Sequence, residues 1–318
     1  MRTLVATLLL WSFACLAQEY PTKTVTIIVP YPAGGPTDQL ARVLAPKFTE
    51  KLGQPFIVEN VSGGNTTIAT GRAARAAPDG HTLLLHNLQI SANVALYPNA
   101  PYDTERDLTP VGFINRNPLV LIGRKALPPD NLAGLIAYMK TKSLNIAHPG
   151  AGATGHLATS LFLQEAKLDA VLVPYRGAAP AMQDILGDHV DLYFATPQSV
   201  VQLVAAGQIK AYGITTKESM AQFPGAASFP AELGPKLEIQ YWHALFAPAA
   251  TPKPVIEKLN AVLQAVAEDP AIVKSWAASG VSPYPKNERS PEAAQMLMKS
   301  EIARWSQVVR DNHIHGPE

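Results

Sequence analysis

The feature that most constrains the fold of this chain is a repeated unit of strand, glycine-rich loop and helix. The first unit begins with a β-branched stretch at residues 24–29 and continues through Gly34 and Gly35. Apolar residues then recur every four positions from Leu40 to Leu52, as on one face of a helix. Units of this kind build a mainly parallel sheet crossed by helices, so the sequence predicts an α/β fold.

The same unit recurs along the chain. A second copy covers residues 56–76 and is followed by a predicted strand at residues 82–85. A further series starts near Val120 and includes predicted helices at residues 157–165 and 179–186. Two such series in one chain indicate two lobes with a cleft between them.

The length of the chain also indicates two lobes, since about 300 mature residues exceed the usual ~100–200 per domain. We predict that lobe 1 is discontinuous and comprises residues 18–120 and 244–318, while lobe 2 comprises residues 121–243. Hinge strands that connect the lobes are predicted at residues 120–123 and 242–246.

The amino terminus has the pattern of a secretory signal, with Arg2, an apolar run at residues 4–13 and small residues up to Ala17. We predict that residues 1–17 are a signal peptide cleaved near Ala17 and that the protein is periplasmic. Cys15 is the only cysteine, and its lipidation stays open as an alternative. Loss of Cys15 with the signal would leave no disulfide, cysteine nucleophile or thiolate metal site.

The charge balance argues against a nucleic-acid partner. Lys and Arg number 26 against 25 for Asp and Glu. Such a balance produces no net field that would draw the protein to a polyanion.

The first glycine-rich loop is a candidate anion site. A loop between a strand and a helix leaves backbone N–H groups unpaired at the positive end of the helix dipole. The glycines Gly34 and Gly35 permit close approach of the backbone. Asp38 is either a ligand group or, as we favour, a first-turn acid that bonds N–H groups of the loop or helix.

A second loop, at residues 150–155, matches the pattern G-x-G-x-x-G of dinucleotide-binding enzymes. Such enzymes carry an acid about 20 residues later, after the next strand, whereas this chain has Tyr175 and Arg176 there. We therefore interpret the loop as a second carboxylate site. Thr154 and His156 would reach the ligand from the helix start, or His156 would cap local carbonyl groups.

A third loop, at residues 175–180, has the same design. Arg176 would pair with a carboxylate through two parallel hydrogen bonds, or it would be a surface arginine. The sequence has no G-x-S-x-G motif, no paired catalytic carboxylates and no histidine spacing typical of zinc sites. We predict a binding protein without catalysis, cofactor or metal. One alternative is an exported enzyme that acts on a small carboxylate or is a nucleotide-dependent oxidoreductase. The other alternative is an adhesion or scaffolding module.

Many blocks of the mature chain, in order, match one known family. The blocks include residues 29–38, 78–83, 155–158, 173–181 and 246–252. They resemble the Bug family, the periplasmic solute receptors of tripartite tricarboxylate transporters. The resemblance implies a type II periplasmic-binding-protein fold and a cleft that closes on a carboxylate held by backbone amides and waters of residues 33–37 and 177–179. It also implies the transporter membrane subunits as partners.

Two segments depart from the family pattern, at residues 86–93 and 195–196. The family often has an Asp-Asn pair at the second segment, and its loss removes a negative charge that would select an amino group. We therefore predict a dicarboxylate ligand, with aromatic phthalate-type acids among the candidates. His86, Asn87 and Gln89 are predicted to follow the strand at residues 82–85 and to select the ligand at its carboxyl end. Alternatively, Asn87 and Gln89 bond only the loop backbone.

The predicted partners are thus a small carboxylate and membrane transport subunits, and the protein is predicted to be a monomer. The predicted ligand-binding residues are Tyr31, Ala33, Gly34, Gly35, Thr37, Asp38, Asn65, His86, Asn87, Gln89, Thr154, His156, Arg176, Gly177, Ala178, Ala179 and Thr196.

Overall fold

The computed structural model describes residues 20–316, which form two lobes, each built on a 6-stranded sheet. The α/β class and the two-lobed architecture are therefore confirmed. The predicted signal peptide, its cleavage site and Cys15 lie outside the described residues. Within the described range, no helix is long and apolar enough to cross a membrane.

The chain begins in lobe 1. The elements of this part are β1 (Val25–Val29), α1 (Pro36–Leu52), β2 (Phe56–Asn60), α2 (Thr67–Ala74), β3 (Thr82–Asn87), α3 (Gln89–Leu96), α4 (Thr104–Asp107) and β4 (Leu108–Asn117).

Lobe 2 follows as one continuous segment. Its elements are β5 (Val120–Arg124), α5 (Leu132–Met139), β6 (Asn145–His148), α6 (Thr154–Ala166), β7 (Val171–Pro174), α7 (Ala178–Leu186), β8 (Leu192–Ala195), α8 (Pro197–Ala205), β9 (Ile209–Ile214), β10 (Ala227–Ser228) and α9 (Phe229–Glu232).

The chain then returns to lobe 1. The returning elements are β11 (Tyr241–Pro248), α10 (Lys253–Glu268), α11 (Pro270–Ala278), β12 (Ser282–Pro283) and α12 (Pro291–Asp311). Helix α12 packs on α3, and Glu301 accepts hydrogen bonds from the indole N–H groups of Trp242 and Trp305.

The strand order of the sheets decides which residues reach the cleft. Lobe 1 has the order β12-β4-β11-β3-β1-β2 and lobe 2 the order β10-β9-β5-β8-β6-β7. The strands β1 and β3, and likewise β6, β7 and β8, are mutually parallel, so their carboxyl ends share one edge. Strands β11 and β5 run antiparallel to their neighbours β3 and β8, which brings their amino ends to those same edges.

The first helix forms as the sequence predicts. Leu40, Leu44 and Phe48 are buried on one face of α1, and Gly53 ends the helix with a left-handed φ of 77°. Burial of this apolar stripe against the sheet stabilises the helix more than its intrinsic propensity does.

Strand β3 is longer than predicted, since His86 and Asn87 lie within it rather than after it. Their backbones pair with Ala244 and His243 of the antiparallel strand β11. The apolar pattern at residues 82–85 does not reveal this pairing, because the partner strand lies far away in the sequence.

The two crossings between the lobes lie before the predicted hinge strands. Strand β5 belongs wholly to the second sheet and β11 wholly to the first, so the chain crosses near Leu119 and again near Gln240. The predicted lobe boundary at residues 243 and 244 falls inside β11, whose ladder to β3 and β4 holds it in lobe 1.

One buried hydroxyl group joins the two crossings. Thr215 Oγ1 accepts a hydrogen bond from the N–H of Leu119 at 2.8 Å and donates one to the carbonyl of Ile239 at 2.7 Å. The backbone of Thr215 also bonds both segments. The crossings are therefore mechanically linked through this side chain.

Candidate functional site

A cavity lies between the lobes at the shared edge of the strands. Counted out to its mouth, with the open solvent there included, the space between the walls is about 780 Å³. Lobe 1 contributes the loop after β1, the end of β3 and the start of β11, and lobe 2 contributes the starts of α6, α7 and α8.

Helices from both lobes begin at this cavity without a side-chain cap. The N-cap residues are Gly35 for α1, Ala153 for α6, Gly177 for α7 and Thr196 for α8, and none of them bonds a helix N–H group through a side chain. Uncapped first turns leave several N–H donors without partners, at the positive ends of the helix dipoles. Together they form a site for an anion.

Of the other helices, α2, α3 and α10 also lack a side-chain cap, whereas α4, α5, α9, α11 and α12 are capped in the ordinary way. Their N-cap side chains, which accept hydrogen bonds from N–H groups of their own helices, are Asp103, Asn131, Ser228, Asp269 and Ser290. An N-cap typically stabilises a helix by about 1 kcal/mol. The chain forgoes this stabilisation at the cavity, where a ligand would supply the acceptor.

Most of the predicted ligand-binding residues line the cavity. These are Tyr31, Ala33, Gly35, Thr37, Asn87, Gln89, Thr154, Arg176, Gly177, Ala178, Ala179 and Thr196. The remaining predicted residues do not line the cavity; they are Gly34, Asp38, Asn65, His86 and His156.

Gly34 and Asp38 lie outside the cavity and bond each other. The carboxylate of Asp38 accepts hydrogen bonds from the Gly34 N–H at 2.8 Å, from Arg42 and from Asn60. Burial alone would raise the pKa of Asp38, but the bonds from Arg42, Gly34 and Asn60 outweigh it and lower the pKa. Asp38 therefore braces the first loop, as expected of a first-turn acid that bonds N–H groups of the loop.

Asn65 joins the lobes beside the cavity. Its amide nitrogen donates to the carbonyl of Ala151 in lobe 2 at 2.5 Å and to the hydroxyl of Tyr97 at 2.9 Å. Its amide oxygen accepts from Gln89, which lines the cavity. Asn65 has a left-handed φ of 49°, a conformation that asparagine tolerates better than most residues.

A close apolar contact accompanies this bond. Gly152 of lobe 2 has a φ of 67°, and a Cβ atom at this position would overlap the Leu96 side chain of lobe 1. We call Asn65, Leu96, Ala151 and Gly152 the interlobe contact. The first part of the G-x-G-x-x-G loop thus meets lobe 1, while Thr154 faces the cavity.

His156 holds that loop and does not line the cavity. Its Nδ1 accepts a hydrogen bond from the N–H of Gly152 at 3.1 Å, and its ring stacks on His148 with 4.1 Å between centroids. His148 in turn lies 3.1 Å from the carbonyl of Gly150. The two histidines therefore shape the loop that forms the interlobe contact.

His86 is also behind the wall. It is fully buried, and its ring meets the ring of Tyr31 edge-on at 5.7 Å between centroids. Its Nδ1 accepts a hydrogen bond from the N–H of Asn87 at 2.8 Å. His86 thus supports Tyr31, because the extension of β3 turns its side chain into the protein.

Sequence reasoning missed Leu119, Tyr193 and Tyr241, which line the cavity. Leu119 and Tyr241 lie at the starts of β5 and β11, and the rule that ligands bind at carboxyl ends of strands does not cover antiparallel strands. The period-two pattern of a strand could have indicated only that Tyr193 faces one side of its sheet.

The charge of the cavity favours an anion. Among the described residues that line it, Arg176 is the only one with a charged side chain, and it is exposed. The other lining side chains are apolar or neutral and polar. The helix N-termini and Arg176 thus give the cavity a positive potential, with no acid to bind an amino group.

The buried histidines make the folded protein sensitive to acid. Burial lowers the pKa of His86 and His243 to about 3 and that of His156 to about 4. The unfolded chain protonates these residues near the ordinary histidine pKa of about 6.5, so in this interval it binds more protons than the folded protein. Stability is therefore lost as the pH falls from about 6.5 towards 4, by about 1.4 kcal/mol per pH unit for each histidine.

Urea unfolding between pH 8 and pH 4.5 measures this effect. We expect a flat free energy of unfolding above pH 7 and a steepening fall below it. His156→Gln should reduce the slope, whereas the same substitution at the exposed His315 should not. A free energy that rises on acidification would contradict neutral histidines in the folded protein.

Comparison with known proteins identifies related sequences. A model of the tripartite tricarboxylate transporter family receptor matches residues 40–314. Protein BugT of Bordetella pertussis is 34% identical over 300 residues, which cover 93% of this chain and 91% of BugT.

Solved structures are similar over the same extent. The periplasmic binding protein BugD has 33% identity and a TM-score of 0.87, covering 94% of this chain and 100% of BugD. MatC from Rhodopseudomonas palustris, solved with malate, has 35% identity and a TM-score of 0.84, covering 91% and 100%. Another R. palustris protein, solved with adipate, has 31% identity and a TM-score of 0.87, covering 94% and 100%. The predicted resemblance and the periplasmic-binding-protein fold are confirmed.

Proposed function

The chain belongs to the tripartite tricarboxylate transporter receptor family, and from this premise we propose that it captures a small organic carboxylate in the periplasm for the membrane subunits of such a transporter. The observation that carries the proposal is the convergence of uncapped helix N-termini on an acid-free cavity. A carboxylate supplies the acceptors that these N–H groups lack.

The ligand that this cavity suits best is a dicarboxylate. Donors lie on both sides of it, from α1 in lobe 1 and from α6, α7 and α8 in lobe 2, so each end of a diacid finds a partner. Leu119, Tyr193 and Phe194 offer apolar surface for an aliphatic or aromatic body between the ends. The malate and adipate of the two R. palustris structures are both diacids.

Closure of the lobes is the functional event of this proposal, and no chemical step is part of it. The interlobe contact lies beside the cavity and is connected to it through Gln89 and Tyr31, whose side chains bond each other at 3.0 Å. A ligand that orders these side chains would favour the closed conformation, in which the lobes touch, because it binds the closed conformation more tightly than the open one.

A screen of organic acids by thermal shift and calorimetry tests the function. Adipate, malate and phthalate are compared with aspartate and with the uncharged diamide of adipate. At a hundredfold excess over the Kd we expect about 2.7 kcal/mol of stabilisation by a diacid, none by the diamide, and a smaller radius of gyration in X-ray scattering.

Three results would contradict the proposal. Absence of stabilisation by any acid would favour an adhesion or scaffolding role. Turnover of the bound acid by the pure protein would identify an enzyme. An unchanged radius of gyration at saturation would refute the closing motion.

A further inference from the structure

A buried hydrogen-bonded cluster forms the lobe 1 wall of the cavity. Its members are Thr37, Asn87, Asn115, Tyr241 and His243, all of them buried. Three of these, Thr37, Asn87 and Tyr241, also line the cavity. The direction of each hydrogen bond in the cluster determines which polar hydrogen is left for a ligand.

The histidine of the cluster is neutral and has one defined tautomer. Burial lowers the pKa of His243 to about 3, so the ring carries a single proton. Its Nδ1 lies 2.8 Å from the amide oxygen of Asn115, an acceptor, and therefore holds that proton. Its Nε2, 3.1 Å from Thr37 Oγ1, must then accept, so the hydroxyl proton of Thr37 is directed to His243.

The amide of Asn87 is also fully used. Its nitrogen donates to the Tyr241 oxygen at 3.0 Å and to Thr37 Oγ1 at 3.3 Å. Its oxygen accepts from the N–H of Gln89 at 3.0 Å. Both N–H groups of Asn87 are therefore engaged, so the residue orients the tyrosine ring and has no donor left for a carboxylate.

The hydroxyl proton of Tyr241 is the polar hydrogen of the cluster that is left for a ligand. Within the cluster its acceptor is Thr37 Oγ1 at 3.4 Å, well beyond the usual 2.7–2.8 Å for two hydroxyl groups. Burial raises the pKa of Tyr241 to about 12, so the proton is present at neutral pH. Tyr241 stands at the cavity edge, so this proton is available to a bound acceptor.

We propose that Tyr241 is the specificity-determining residue of this cavity: its hydroxyl donates to the second carboxylate of a diacid and so selects diacids over monoacids of equal length. The proposal rests on the function proposed above. Arg176, which is exposed, and the helix N-termini of lobe 2 would bind one carboxylate of either class, whereas Tyr241, on the lobe 1 side with the start of α1, would bind the second carboxylate that only a diacid has.

Calorimetry with Tyr241→Phe tests the proposal. The probes are matched pairs, adipate with hexanoate and phthalate with benzoate, and the readout is the ratio of the two affinities. A hydrogen bond to a charged group corresponds to about a tenfold or larger change in affinity. We expect the variant to bind diacids at least tenfold more weakly and monoacids within about twofold of the unmodified protein.

The matched control is Tyr212→Phe. Tyr212 is also buried and donates to the carbonyl of Pro129, away from the cavity. This variant should lose stability but keep the affinity ratio. If Tyr241→Phe weakens both members of a pair equally, the residue is structural and the proposal fails while the proposed function stands.

Two further outcomes are decisive. If the unmodified protein binds no organic acid, both the proposed function and this inference fail. Long-range ¹⁵N–¹H spectra should show His243 with its proton on Nδ1. A proton on Nε2 would overturn the inference, because Thr37 would then have a free proton and Tyr241 would not be the defined donor.

Discussion

Replacing Thr196 with aspartate is expected to stabilise the empty protein and to abolish carboxylate binding. Thr196 is the N-cap residue of α8, with φ −80° and ψ 144°, but its hydroxyl bonds Ser199 Oγ instead of a helix N–H group. An aspartate in this conformation would cap the helix and stabilise it by about 0.5–1 kcal/mol.

The same carboxylate would occupy the site of the ligand. It would satisfy the free N–H groups of α8 and repel a second negative charge in the cavity. Two like charges about 4 Å apart repel by about 4 kcal/mol at the edge of a protein, so we expect at least a 100-fold loss of affinity.

Thr196→Asn is the matched control, because asparagine has the shape and capping ability of aspartate without its charge. It should stabilise the empty protein similarly and weaken diacid binding by less than about tenfold. Urea unfolding and calorimetry with adipate measure both effects. Equal losses of affinity in the two variants would mean that shape, and not charge, governs this end of the cavity.

Replacing Gly152 with leucine is expected to prevent the lobes from meeting. The new side chain would occupy the space of Leu96 across the interlobe contact, and the Asn65 bond to Ala151 could not form. Gly152 is not part of either sheet, so each lobe should still fold. If affinity depends on closure, diacid binding should fall by at least about 100-fold, since a two-lobed site loses the donors of one lobe.

Gly207→Leu provides the control for backbone strain. Gly207 has a φ of 63°, close to that of Gly152, but a Cβ atom at this position would have no other atom within 4 Å, so only the strain is reproduced. Scattering and calorimetry on both variants separate the effects. Normal affinity in Gly152→Leu would show that the interlobe contact is not part of binding.

The order of strands and helices could be predicted from the sequence because each parallel unit has a pattern that is contained in one short segment. Each has a β-branched run, a glycine-rich loop and a helix with a four-residue apolar repeat. The sequence of β11 does not indicate which strands it pairs with. Its antiparallel pairing with β3 joins segments that lie far apart in the sequence. The true ends of β3, the crossings and the position of Tyr241 all depend on it.

The candidate site could likewise be predicted from the sequence only in part. Glycine-rich loops at helix starts predict where backbone donors lie, since that geometry is local. Sequence position does not tell on which side of a loop a side chain points. For Asp38 and His156 the sequence therefore predicts the correct loops but leaves open whether they face the ligand, and the structure places both behind the wall, where they bond Gly34 and Gly152.

The hydroxyl of Thr215 bears on the time course of binding. If one crossing bent without the other, the N–H of Leu119 or the carbonyl of Ile239 would lose its buried partner, at about 1–3 kcal/mol. Half-closed forms would therefore be rare, and stopped-flow records should show one exponential for the conformational step. A membrane partner would then meet only the open and the closed form of this protein. The conformation that indicates a bound solute would have no intermediate degrees.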